Sequence, residues 1–276
     1  MTIAWSCMAL PLTGRIDAKS SQGRVMSVAS WLRIVARLSA LVGLLVLLVP
    51  LHYLTHAIGR HSHWPRTFLG SAAAVVGAKV VTVGAPRFGN VFFVANHLSW
   101  IDILALGGAS GTAFIAKAEL AKTPVIGWLC GLNRTLYVSR DDRLGVSSQI
   151  SMVREAMAEN HAIAVFPEGT TNDGRSLLPF KSSLLGVLEP PPADVHVQPV
   201  FIDYGDVSSE IAWIGNEGGI DNALRILGRS GRFDLHIHFL ESFDPTLLGG
   251  RKAIAAECRA RIEAVMQSEL YQRSVA

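Results

Sequence analysis

Apolar residues along this chain fall into two regimes. Over residues 38–58 they run almost unbroken, interrupted by Pro50, His52 and His56 and bracketed by Arg33, Arg37 and Arg60. A second apolar stretch, 68–78, follows Pro65. Beyond residue 78 the runs shorten to strand length, at 80–83, 91–95, 112–116, 135–138, 162–166, 195–201 and 233–240. Between them Val146, Ile150, Val153 and Met157 recur at helical spacing, and 184–188 follows a turn containing Pro179. Short strands alternating with helical segments predict an α/β class, with a central mixed sheet and flanking helices, preceded by an N-terminal membrane-associated helical segment. The expected division is a tail and membrane-associated helices over 1–78 and one sheet domain over 79–276. Pro190-Pro191-Pro192 reads as a surface connection, because strand patterns resume after it.

Composition sharpens the N-terminal reading. The chain has 276 residues, 50% of them hydrophobic, enough for a substantial core. Residues 1–101 carry nine Lys or Arg against the single acid Asp17, a charge of +8, whereas 102–276 carry sixteen bases against twenty-one acids, a charge of −5. An apolar, Arg-flanked segment suits an anionic membrane surface, where each nearby cation contributes roughly 1 kcal/mol. Nucleic acid is the weaker partner, since the bases form no aromatic-studded patch and the run from Leu41 to Val49 would have no purpose there. The 38–58 segment is borderline for spanning, which takes ~20 apolar residues, and Leu51-His52-Tyr53-Leu54 is a poor signal-peptide cleavage site. Two consecutive apolar helices dipping into one leaflet as a hairpin, or a buried core pair, are the alternatives. Residues 1–25 show no period, and Met26 opens a more natural amphipathic start, so Met26 is the expected initiator. Cys7, Cys130 and Cys258 are too dispersed for a disulfide framework or a zinc site and suit a cytosol-facing environment. His236 and His238 share one strand face but lack a further ligand, so an outward polar face is expected and no metal or cofactor is implied.

Chemistry concentrates in Asn96-His97-Leu98-Ser99-Trp100-Ile101-Asp102, directly after the 91–95 strand. Ser99 and Asp102 have capping-box spacing for the next helix. His97 and Asp102 would lie about 140° apart on a continuous helix, but with His97 in the strand-to-helix turn the imidazole can fold back over the carboxylate. A carboxylate on one ring nitrogen fixes the tautomer and leaves the other nitrogen to accept a proton near neutral pH. Taken alone, the spacing leaves capping and catalysis both open.

A second strand end, Phe166-Pro167-Glu168-Gly169-Thr170, tips the balance. With it the sequence resembles the lysophosphatidic acid acyltransferase (1-acylglycerol-3-phosphate acyltransferase) family, whose members carry an Asn-His-x-x-x-x-Asp block and a Phe-Pro-Glu-Gly-Thr block in this order. The run Thr135–Arg140 resembles the block ending in a phosphate-contacting Arg, Val197–Val200 resembles the fourth block, and Leu178–Ser183 is similar to the Phe-Lys segment; together they cover roughly residues 90–205. The resemblance implies that His97 is the general base and Asp102 its orienting partner, with Ser99 left as the cap. It implies that Glu168, Gly169, Thr170, Arg140 and Lys181 bind the acceptor. The hydroxyl of a lysolipid, foremost 1-acylglycerol 3-phosphate, would attack the thioester of acyl-CoA or acyl carrier protein with no acyl-enzyme. Where relatives often have Arg-Ser after Glu-Gly-Thr, this chain has Thr171-Asn172, with Arg175 able to reach back. That version looks like relatives that acylate lyso-ornithine lipid. A non-catalytic lipid-binding relative and a His-dependent lipid hydrolase are the rivals. The expected location is the inner (cytoplasmic) membrane, catalytic domain toward the cytosol.

Overall fold

The computed structural model describes residues 26–138, 151, 153–156 and 162–275. Seven strands form one sheet: β1 (Ala78–Val83), β2 (Val91–Ala95), β3 (Ala113–Lys117), β4 (Leu136–Val138), β5 (Ile163–Val165), β6 (His196–Asp203) and β7 (Phe233–Phe239). The order is β1-β7-β6-β2-β5-β3-β4. Every neighbouring pair is parallel except β6 with β7. All seven expected strands are present, β2 with the expected limits. All five residues of β2 are buried, which is why it reads as an unbroken apolar run: a parallel strand covered on both faces has no solvent side on which to place polar residues.

One face of the sheet is covered by α1 (Val28–Ala57), α2 (Trp64–Val75), α3 (Ile101–Ser110) and, past the short helix α4 (Pro124–Leu132) and the edge strand β4, by α5 (Gly219–Gly228). The other face packs the 3-10 segment Ser182–Leu188 and the long C-terminal helix α6 (Arg251–Val275). Of the expected helix at 146–157, residues 151 and 153–156 are helical and Val153 is buried; Val146, Ile150 and Met157 lie outside the described residues.

The first helix begins earlier than the apolar run suggests, because Ser27 caps it: its hydroxyl accepts from the amide of Ser30 at 3.1 Å. α1 is long and apolar enough to cross a membrane by length and composition, and 11% of its most apolar window is buried. The expected helix pair is unequal. α2 lies on α3 so closely that a Cβ on Gly108 would sit 2.5 Å from the Cα of Gly70, and Leu69, Ala72 and Ala73 are buried. Of the pair, α1 therefore carries the exposed apolar surface.

The arginines expected to face anionic lipid have a second employment. Arg33 donates to the carbonyl of Gly228 at 2.9 Å, and Arg37 donates to the carbonyls of Ile226, Leu227 and Arg229 at 3.0, 2.9 and 3.0 Å. Arg66 does the same for Gly108 and Ala109. These cations satisfy the last carbonyls of α5 and α3, which have no intrahelical donors and carry the negative end of the helix dipole.

Candidate active site

Three adjacent parallel strands, β6, β2 and β5, end at the same edge of the sheet, the usual position for a site in α/β folds. His97 follows β2, Glu168 follows β5 and Tyr204 follows β6. Asn96 ties two of these ends together, donating to the carbonyl of Ile202 at 2.9 Å and accepting from its amide at 2.7 Å. That brings Tyr204, two residues on, beneath the start of α3.

Asp102 is fully buried. Its Oδ2 accepts from His97 Nδ1 at 2.8 Å and from the amides of Leu98 and Ser99 at 2.7 and 2.9 Å, and its Oδ1 accepts from the Tyr204 hydroxyl at 2.5 Å. The two jobs that looked like rivals are therefore done by one carboxylate: it closes the turn before α3 by taking backbone amides and holds the imidazole with the same oxygen. Ser99 caps α3 by a long bond, its hydroxyl accepting from the amide of Ile101 at 3.4 Å, while its own amide is among those that Asp102 accepts. Burial and the neighbouring Asp102 charge push the Tyr204 phenol well above its ordinary range, so it stays a donor.

With Nδ1 held, His97 presents Nε2, which takes no hydrogen bond from the described residues, while 18% of the side chain is exposed. Phe166 stacks on the ring, centroids 4.1 Å apart and planes 15° apart, and Phe114 stacks on Phe166. The imidazole is thus clamped in plane by an aromatic face and in azimuth by Asp102.

Glu168 points inward. It is 1% exposed; Oε1 accepts from the amide of His97 at 3.1 Å, and Oε2 accepts from Leu178 N at 3.0 Å and from the Asn172 amide group. Burial raises its proton affinity, opposed by the donors from Leu178, Asn172 and His97. Asn172 N in turn donates to the His97 carbonyl at 2.9 Å. The 167–178 loop is accordingly stitched to both sides of the His97 peptide. Thr171 donates to the carbonyl of Trp213, and Trp213 N donates to that of Leu98. Gly169 takes a positive φ of 71° at the tip, where a β-carbon would be strained. Thr170, Arg175 and Lys181 are exposed; Arg140 lies outside the described residues.

His236 and His238 do not form an outward polar face. His238 is buried, packed on Phe201, with Nε2 4.0 Å from Glu269. Asp203, His238 and Glu269 offer donor atoms within 4.8 Å of one another, the one such group among the described residues. Arg273 from α6 already pairs with Asp203, so the cluster carries its own cation.

A family model described as Acyltransferase matches residues 79–203. The lyso-ornithine lipid O-acyltransferase of Brucella abortus (strain 2308) is 33% identical over 261 residues, covering 88% of this chain and 97% of its own. This chain belongs to the lysophosphatidic acid acyltransferase family. A second lysolipid acyltransferase relative, the lyso-ornithine lipid O-acyltransferase of Rhizobium meliloti (strain 1021), is 30% identical over 227 residues, covering 77% of this chain and 76% of its own. The 1-acyl-sn-glycerol-3-phosphate acyltransferase of Neisseria gonorrhoeae is 33% identical over 113 residues, covering 41% and 44%. The fold matches the crystal structure of the 1-acyl-sn-glycerophosphate acyltransferase from Thermotoga maritima with a TM-score of 0.65 at 20% identity, over 87% of this chain and 96% of that one. The protein is thus a lysolipid acyltransferase of lipid biosynthesis, and its substrates are an acyl donor and a lysolipid acceptor.

Proposed function

We propose that this acyltransferase esterifies the hydroxyl of lyso-ornithine lipid, taking the acyl group from the thioester of acyl-CoA or acyl carrier protein. The carrying observation is coverage: the relatives matched over most of their length bear that name, whereas the Neisseria glycerophosphate acyltransferase matches over 41% of this chain. The loop supports it. Thr171 and Asn172, standing where relatives often place Arg-Ser, turn to Trp213 and Glu168, so neither brings a cation to a phosphate.

In this reading His97 Nε2 takes the proton of the acceptor hydroxyl as its oxygen attacks the thioester carbonyl. The C–S bond then breaks, and the leaving thiolate recovers the proton from Nε2. Asp102 holds Nδ1–H throughout and stabilises the imidazolium that forms between the two transfers. Thr170, Lys181 and Arg140 are assigned to the headgroup, with Gly169 keeping the loop open and Glu168 holding it in place.

Purified enzyme given labelled acyl donor and equal lyso-ornithine lipid and lysophosphatidate should form mainly the ornithine diacyl product. Phosphatidate as the main product would return the assignment to 1-acylglycerol 3-phosphate, and release of free fatty acid without an ester would indicate a hydrolase.

We assign the protein to the cytoplasmic membrane, active site toward the cytosol, held there by α1. Val42, Val46 and Leu47 are exposed on that helix whereas Leu48 is buried. Changing the first three to Ser should release protein into the soluble fraction, since each inserted side chain contributes ~1.5–3 kcal/mol. Complete release of the unmodified protein by high salt would instead leave peripheral adsorption, which is screened within ~8 Å.

A further inference from the structure

We infer that α4 is a second membrane-contact element, pressing its apolar arc into an anionic phospholipid bilayer beside the active-site edge; the inference rests on the lysolipid acyltransferase reading. α4 has the sequence PVIGWLCGL, and none of its nine residues is buried. Val125, Ile126 and Trp128 are 60%, 49% and 43% exposed, and they span an arc of about 160°. Gly127 faces the other way: a Cβ there would sit 2.4 Å from the carbonyl oxygen of Ala121, and its own carbonyl accepts from Tyr137 at 3.0 Å. The helix is therefore seated on its small residue and turns its large apolar ones out, an arrangement with no use in water.

Three observations identify the occupant. First, the end of α4 meets the α1–α2 connection: Arg134, just past α4, lies 3.4 Å from His61, which follows the exposed Leu54 and Ile58 at the end of α1 by a few residues. Second, the flanking sequence is cationic. Residues 112–138 carry Lys117, Lys122 and Arg134 against the single acid Glu119, and residues 18–101 carry no acid at all; apolar arcs rimmed by cations match anionic headgroups. Third, α4 follows β3, whose C-terminal end shares the sheet edge of His97 and whose Phe114 stacks on the Phe166 that clamps the imidazole. An acceptor lipid would need to leave the bilayer only by its reacting end.

The full chain carrying Val125→Ser, Ile126→Ser and Trp128→Ser should partition at least about tenfold less onto phosphatidylcholine vesicles containing phosphatidylglycerol. It should lose rate to the same extent on vesicle-borne acceptor and retain rate on acceptor dispersed in detergent micelles. Wild-type tryptophan fluorescence should be quenched by lipids brominated in their acyl chains, and Trp128→Phe should remove a distinct part of that quenching; this readout holds even if the triple variant folds poorly. Unchanged partitioning, or equal quenching in wild type and Trp128→Phe, overturns the proposal, as does a change in self-association without a change in partitioning. If wild-type enzyme acylates no lysolipid in either format, the functional reading falls, while partitioning and quenching still decide the role of α4.

Discussion

His97 and His238 both stand beside carboxylates on the same sheet, and they differ in what the surroundings leave unsatisfied. His97 meets Asp102 at 2.8 Å on one nitrogen and keeps the other toward an opening. His238 sits 4.0 Å from Glu269 under α6, its Nε2 buried without a hydrogen-bond partner among the described residues, while Arg273 neutralises Asp203 beside it. Asp102 is held by two amides and a phenol; Glu269, 30% exposed on α6, stays 4.0 Å from the imidazole. A His next to an acid is thus common to both places. Reactivity needs in addition an acid fixed by donors that do not titrate near neutral pH, and one nitrogen the protein does not use.

The largest effect should separate the two sites outright. His97→Ala removes the proposed base and should lower the transfer rate ~10²–10⁴-fold with the fold retained. Asp102→Asn should lose much of the rate and also stability, because its amide opposes the amides of Leu98 and Ser99. His238→Ala should leave the rate near wild type. An equal loss of rate in His238→Ala would erase the distinction, and full activity in Asp102→Asn with only a lower Tm would reduce Asp102 to its turn-closing job.

Tyr204→Phe tests whether the buried phenol positions Asp102. A hydrogen bond to a charged group contributes ~1.5–3 kcal/mol, and three donors on Asp102 Oδ2 remain, so kcat should fall on the order of tenfold with KM for the acceptor unchanged. A Tm decrease with unaltered kcat would leave Tyr204 a core residue.

Glu168→Gln sharpens the comparison further, because Glu168 secures the backbone on both sides of His97. The amide cannot accept from His97 N, Leu178 N and the Asn172 amide group together, and each buried donor left unpaired costs about 1–3 kcal/mol. Thermal unfolding should move down by that amount and the rate should fall with it. A variant of normal stability whose KM for the acceptor alone rises would give Glu168 a direct contact with the headgroup.

How far the sequence could show this depended on locality. The β2 limits and the His97–Asp102 pair were legible because strand, turn and first helical turn are contiguous. Tyr204 was not: a tyrosine after a buried strand has no local mark distinguishing it from core, and only the Asn96–Ile202 bridge brings it under Asp102. The reach of Glu168 was hidden in the same way, since its partners lie 4, 10 and 71 residues away. α6 was missed because Ile254, Cys258, Ile262 and Met266 form a single file of buried residues on an otherwise polar helix. The outward reading of His236 and His238 failed because the helix covering them comes from the end of the chain.

The smallest effect concerns the pH dependence of the His238 cluster. Burial lowers the proton affinity of His238 most; Glu269 and Asp203 raise it, and His236 and Arg273 lower it. The folded pKa therefore lies below the unfolded value near 6.5, so the unfolded chain binds the proton first as pH falls. The stability associated with neutral His238 is complete above that value and is lost as pH drops through the depressed folded pKa, with a slope of at most about 1.4 kcal/mol per pH unit for one proton. Tm followed from pH 7.5 to pH 5 should fall more steeply for wild type than for His238→Gln, in which the other eight histidines are unchanged. Parallel curves would mean that His238 accepts its proton within the fold, with Glu269 closing the 4.0 Å gap, and the contrast with His97 would then lie in exposure alone.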